Sequence, residues 1–238
     1  MVFFEHAHDA HVSSVLDRGS SHPAFEAFYR DHIKKILHVR GGYRYLSKCN
    51  YNPTRLAYLS RLFPDARLVV PVREPLWHVA SLTKQHRLFC EEERRDPRIL
   101  AHMRRVGHFE FGLDRRAVNI GDDTAASIER LWADGEEIRG TARLWASLYG
   151  FVLHQLEEDE KLRQQTLILR YEDLCDRPEE TLRRLFEHVE LVLDDDTLAT
   201  HAARLGRPTY YRPDLGTEEE QTLREETATV ANALGYGT

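Results

Sequence analysis

The sequence predicts an α/β protein with a largely parallel sheet and flanking helices, and three observations carry that expectation. Arg67 to Val72 is a short run rich in valine and leucine, bounded by the turn residues Pro64 and Asp65, which is the pattern of a buried strand. Thr166 to Arg170, TLILR, is a second run of the same kind. Each is followed by a helix whose first residue is a proline, Pro75 after the first and Pro178 after the second, where a missing N–H costs nothing.

The elements follow in chain order. Met1 to His22 holds His6, His8 and His11 in EHAHDAH, with no second cluster to close a metal shell, so residues 1–22 read as a flexible N-terminal segment with incidental histidines. Phe25 to Leu37 places Phe25, Phe28, Ile33, Ile36 and Leu37 at near-helical spacing. Arg44 to Lys48 reads as the end of a short strand, and Asn52-Pro53 starts a helix carrying Leu56, Leu59 and Leu62. After Arg73, a helix from Pro75 presents Leu76, Val79, Ala80 and Leu82 as its apolar face.

Between Phe89 and Asp134 the chain turns polar and irregular, with the aromatic pair Phe109 and Phe111 between charged runs. This stretch reads as a loop over an acceptor site, or equally as a solvated surface. Thr141 to Leu156 is an amphipathic helix with Trp145, Leu148, Tyr149, Val152 and Leu156 on one face, and Pro178 to Val189 is another. Finally, Gly206 to Gly216 is a loop before a helix whose opening, Thr217 to Glu220, has capping-box spacing.

Bulk properties narrow the function classes. With 238 residues, 42% of them hydrophobic, the chain can bury a real core as one domain spanning 1–238. Lysine and arginine number 33 against 39 acids, a formal charge of −6, which argues against nucleic acid as a partner, so an anionic ligand must be met by local cations. Cys49, Cys90 and Cys175 are odd in number and far apart, which fits a reducing cytoplasm without disulfides. No apolar run is long enough to span a membrane.

Arg73 leaves a strand at the mouth of a helix, with Ser81 two turns on. Free backbone amides, the helix dipole and a guanidinium fork make that junction a workable phosphate site. Its plainer alternative is an arginine that solvates a strand end.

Three blocks in order, YLSKCNYNP with Lys48, FPDARLVVPVREP with Ser81 eight residues after Arg73, and RYEDLCDRPEETLRRL, together resemble the sulfotransferase family. The resemblance runs from about Arg44 to Tyr236 and implies a P-loop-like fold. It implies transfer of a sulfuryl group from 3′-phosphoadenosine 5′-phosphosulfate (PAPS) to a hydroxyl or amine of a small-molecule or carbohydrate acceptor, leaving 3′-phosphoadenosine 5′-phosphate (PAP). In this likeness Arg73 and Ser81 hold the 3′-phosphate, Tyr171 packs on the adenine, and Lys48 faces the transferring group. A basic loop near Arg212, and less closely Arg207, closes over the phosphate. The likeness requires no metal, and a second copy of the chain is a candidate partner.

Two departures qualify the likeness. Family members open with a strand and a Gly/Ser/Thr-rich loop around the 5′-phosphosulfate. This chain has no clear copy, Arg18-Gly19-Ser20-Ser21 reading as an ordinary turn, so the expectation is a domain whose N-terminal strand and loop are missing. Many members carry a basic histidine two residues after the lysine, where this chain has Asn50, which cannot take a proton at neutral pH. His108 is the leading replacement, with His86 and Glu110 also candidates. The alternative to an enzyme is a non-catalytic nucleotide-binding or scaffold protein of the same fold. A kinase is disfavoured because no GxxxxGK[ST] occurs.

Overall fold

The computed structural model describes residues 13–209 and 212–237. His6, His8 and His11 therefore lie outside the described residues, as do Tyr210 and Tyr211 of the 206–216 loop.

Helix α1, Pro23–Arg40, starts on a proline and stops at Gly41, whose left-handed conformation (φ 62°) lets its N–H cap the last carbonyls. The next stretch corrects an expectation. Residues 42–49 form no strand: they carry no regular structure, and Tyr43 and Leu46 are 87% and 93% exposed. Tyr45 suits a strand and is half-buried, but among the described residues no strand lies alongside to pair with it. A 3₁₀ turn, Asn52–Arg55, leads into α2, Leu56–Leu62, and Leu56, Leu59 and Leu62 are all buried as their spacing predicts.

Strand β1, Leu68–Val72, pairs in parallel with β2, Thr166–Arg170, with Val70 opposite Ile168 and Val72 opposite Arg170. The sheet is parallel as expected, but among the described residues it has two strands, and helices dominate the chain. Pro71 in β1 has no N–H for a further ladder, and its carbonyl accepts the Tyr149 hydroxyl at 3.2 Å instead.

Helix α3, Pro75–Arg95, is longer than the apolar pattern suggested, and α4, Pro97–Val106, follows at once behind the Asp96 N-cap, which accepts the Arg98 N–H. The 89–134 region is thus mostly helical, which corrects its reading as an irregular loop. Glu92, Arg95 and Arg98 face water as i,i+3 and capping partners, leaving 107–123 as the irregular part before α5, Thr124–Ala133.

Helix α6, Glu137–Glu158, is the central pillar. Together with β1, α3 and α11 it encloses the main core, where Val79, Ala142, Trp145 and Val152 are at most 2% exposed. Full burial of a side chain such as Val79 or Val152 is worth about 1.5–3 kcal/mol. Gly140 permits the close approach of α5, since a Cβ there would stand 2.6 Å from the Trp132 ring. Helix α7, Glu160–Gln165, is capped by Asp159 and leads into β2, after which come α8, Tyr171–Asp176, α9, Pro178–His188, and α10, Asp195–Ala202.

The last helix, α11, spans Thr217–Ala233. Its cap differs by one residue from the predicted box: Gly216 is the N-cap, and Glu219 accepts the Gly216 N–H at 2.9 Å. Gly216 has no side chain to return the bond, so half of the box is present. No helix among the described residues is long and apolar enough to cross a membrane.

Candidate functional site

Because Val72 and Arg170 are register partners in a parallel pair, the residues that follow them, Arg73 and Tyr171, leave the sheet side by side at its carboxyl edge. The Arg73 guanidinium carbon lies 4.8 Å from the centre of the Tyr171 ring and 5.6 Å from that of Trp77. Its Nε is buried without a hydrogen-bond partner, and Arg73 forms no ion pair among the described residues. Two ring contacts contribute about 0.5–1 kcal/mol each. A buried N–H left unsatisfied costs about 1–3 kcal/mol, so these two contacts barely offset it.

The surroundings hold this junction in place. Glu172 accepts the Glu74 N–H at 3.0 Å with one carboxylate oxygen and the Tyr236 hydroxyl at 2.7 Å with the other. It thereby ties the start of α3 to α8, directly after β2, and to the C-terminal segment. Tyr236 lies against Arg170, whose guanidinium carbon is 4.3 Å from the ring centre, and burial together with the Glu172 bond raises the Tyr236 phenol well above its ordinary range. Behind Arg73, His78 is packed near Tyr149 with its Nδ1 buried and unpartnered. Burial first, and the Arg73 charge second, hold its pKa down at about 4.

Ser81 is half-buried on α3, one turn beyond Trp77 on the same face, so it belongs to the Arg73 side of the helix. Lys48 is exposed on the irregular 42–49 segment and is not delivered by a strand. Arg212 is exposed ahead of α11, and Arg207 is engaged by Asp176 through bonds of 2.8 and 2.5 Å.

The structure joins two of the three candidate bases and sets the third apart. His108 Nδ1 is 2.8 Å from Glu110 Oε2, and Glu110 Oε1 accepts the Asn50 side-chain amide at 2.9 Å. The neighbouring Tyr51 hydroxyl accepts the Phe109 N–H at 3.2 Å, and burial and the Glu110 charge keep that phenol protonated. His108, Glu110 and Asn50 therefore form one group two residues beyond Lys48. His86 is set apart beneath the loop, where its Nδ1 accepts the Gly112 N–H at 3.3 Å and burial lowers its pKa, ahead of the Arg115 charge.

That loop is firmly built. Glu93, 2% exposed, accepts the Leu113 N–H at 2.6 Å, and Arg115 pairs with Glu137 while lying 3.7 Å from the Trp132 ring centre.

Sequence reasoning missed Trp77, Arg170, Glu110's link to Asn50, and Tyr236. Only Arg170 had a readable signal, since it ends its strand as Arg73 follows its own. The Arg18–Ser21 segment is a closed turn: Ser20 N–H is bound by Asp17, and Arg18 pairs with Asp159. Among the described residues no cluster of three or more His, Cys, Asp or Glu side chains is arranged to hold a metal. Compared with known proteins, the chain matches no family model, no curated protein and no solved structure.

Proposed function

We propose that this protein binds PAPS at the carboxyl edge of the β1–β2 pair and transfers its sulfuryl group to a hydroxyl or amine. The observation that carries the reading is Arg73: a cation without an acidic partner among the described residues, beside Trp77 and Tyr171 at the ends of two parallel strands, where open α/β sheets bind ligands. In this reading Arg73 and Ser81 hold the 3′-phosphate, with Arg212 as a further cation. In the same reading Tyr171, over whose ring Arg73 lies, packs against the adenine. Trp77 extends the same aromatic wall.

Lys48 meets the negative charge that gathers on the leaving phosphate oxygen as the S–O bond breaks, an interaction stronger in the transition state than before it. His108 takes the acceptor proton. Exposure of Lys48 leaves its ammonium free to reach a ligand.

Calorimetric titration with PAP tests the reading. Arg73→Ala should weaken binding more than tenfold, because a charge-assisted pair is worth about 1.5–3 kcal/mol. Equal affinity of the variant and the unaltered protein would reject it. A non-catalytic nucleotide-binding protein is the second reading, favoured by the Arg18–Ser21 turn, whose bonds are satisfied internally rather than turned outward to a phosphosulfate. Transfer of labelled sulfate to a panel of acceptors separates the two.

A further inference from the structure

The family histidine position is Asn50 in this chain, yet Asn50 is part of a group that contains a histidine. Its amide donates to Glu110 Oε1 at 2.9 Å, while Glu110 Oε2 meets His108 Nδ1 at 2.8 Å. We propose that Glu110 is a positioning residue for His108: clamped by Asn50, it fixes the imidazole with Nδ1 protonated and Nε2 presented as the proton acceptor. The inference rests on the sulfotransferase reading for its purpose, but its geometry stands apart from it.

A surface His–carboxylate contact is by itself worth little. Here three features distinguish it. The Glu110 side chain is only 15% exposed and both its oxygens are engaged, whereas the His108 side chain is 45% exposed. The loop that carries both is anchored on each side, by Phe109 N–H on the Tyr51 hydroxyl and by Leu113 N–H on buried Glu93, so the pair is held rather than loosely met. Gly112, at φ 89°, is what allows that anchor: the backbone passes so close to Glu93 that a Cβ would lie 2.6 Å from its carboxyl carbon. A carboxylate bonded to one ring nitrogen determines which nitrogen carries the proton, and so which is available as a base.

The proton balance follows. The acceptor oxygen bonds to sulfur as the bond between sulfur and the donor's phosphate oxygen breaks. The electron pair leaves with that phosphate oxygen, whose charge Lys48 meets, and the acceptor proton passes to His108 Nε2. Glu110 stabilises the resulting imidazolium without taking the proton itself.

The test is a long-range ¹H–¹⁵N correlation of the histidine ring nitrogens in the full chain, with His108 assigned by His108→Gln. In the unaltered protein the neutral ring should carry its proton on Nδ1. In Glu110→Gln, and more weakly in Asn50→Ala, the population should move toward the Nε2-protonated form, with thermal melts confirming that each variant folds. A ring already protonated on Nε2, or one that Glu110→Gln does not change, overturns the proposal whatever the activity.

In turnover, Glu110→Gln should lower kcat at least tenfold, general-base catalysis being worth about 10²–10⁴-fold, with the Kd for PAP changed less than twofold. Retained kcat would likewise overturn the proposal. If the unaltered protein binds no PAP, the sulfotransferase reading falls, and the tautomer measurement still decides the role of Glu110.

Discussion

Lowering the pH should destabilise this protein through His78, by an amount the structure sets. His78 sits behind Arg73 with Nδ1 buried, and burial with the Arg73 charge lowers its pKa from 6.5 to about 4. The unfolded chain therefore binds a proton on this residue more readily than the folded one. Stability from His78 is complete above pH 6.5, falls as the pH drops from there toward 4, and is constant below. At pH 5 the unfolded imidazole is almost wholly protonated and the folded one almost wholly neutral. The loss relative to pH 8 is then at most about 2 kcal/mol, since partial solvent access reduces it.

Against a typical total of about 5–15 kcal/mol this is measurable. Urea unfolding of the unaltered protein and of His78→Gln at pH 8 and pH 5 isolates it, because His86 and the carboxylates titrate alike in both. The unaltered protein should lose more than the variant, by up to about 2 kcal/mol. Equal losses would refute the burial argument. The second cause of the shift supplies a link to function: an anion on Arg73 offsets the charge that repels a proton from His78. The imidazole should then titrate at higher pH with PAP bound than without, and an unmoved titration would mean that the anion does not sit on Arg73.

Other perturbations follow from the same contacts. Gly112→Ala would force a methyl against the Glu93 carboxylate at a backbone conformation that L residues rarely adopt, and should cost about 1–3 kcal/mol in chemical denaturation; a neutral result would mean that the loop is not pinned there. Tyr236→Phe removes the 2.7 Å bond to Glu172 and should lower stability by about 1.5–3 kcal/mol while also loosening the Glu74–Glu172 tie, read as faster amide exchange at the start of α3.

Local elements were legible because their causes are local. Pro75 and Pro178 set helix starts through their fixed φ, TLILR became β2 over its predicted residues, and the Leu56, Leu59, Leu62 stripe buried as spaced. The 42–49 segment failed as a strand because pairing depends on a neighbour that local propensity does not supply. The 89–134 stretch was misread because charge was taken for irregularity, when EEERR and PRILAHMRR continue or begin helices with solvated faces.

The meeting of Arg73 with Tyr171 was also within reach of the sequence, since two parallel strands in register must release their next residues together. Side-chain partnership across long intervals was not. Asn50 and Glu110 stand 60 residues apart and Glu172 and Tyr236 stand 64 apart, with no periodicity linking them. The amino-acid order thus determined where strands end in cations and where helices begin. Only the folded chain decided which carboxylate holds which ring, and which nitrogens are left buried without a partner, because burial and hydrogen-bond satisfaction are set by every element packed around a group rather than by its neighbours in sequence.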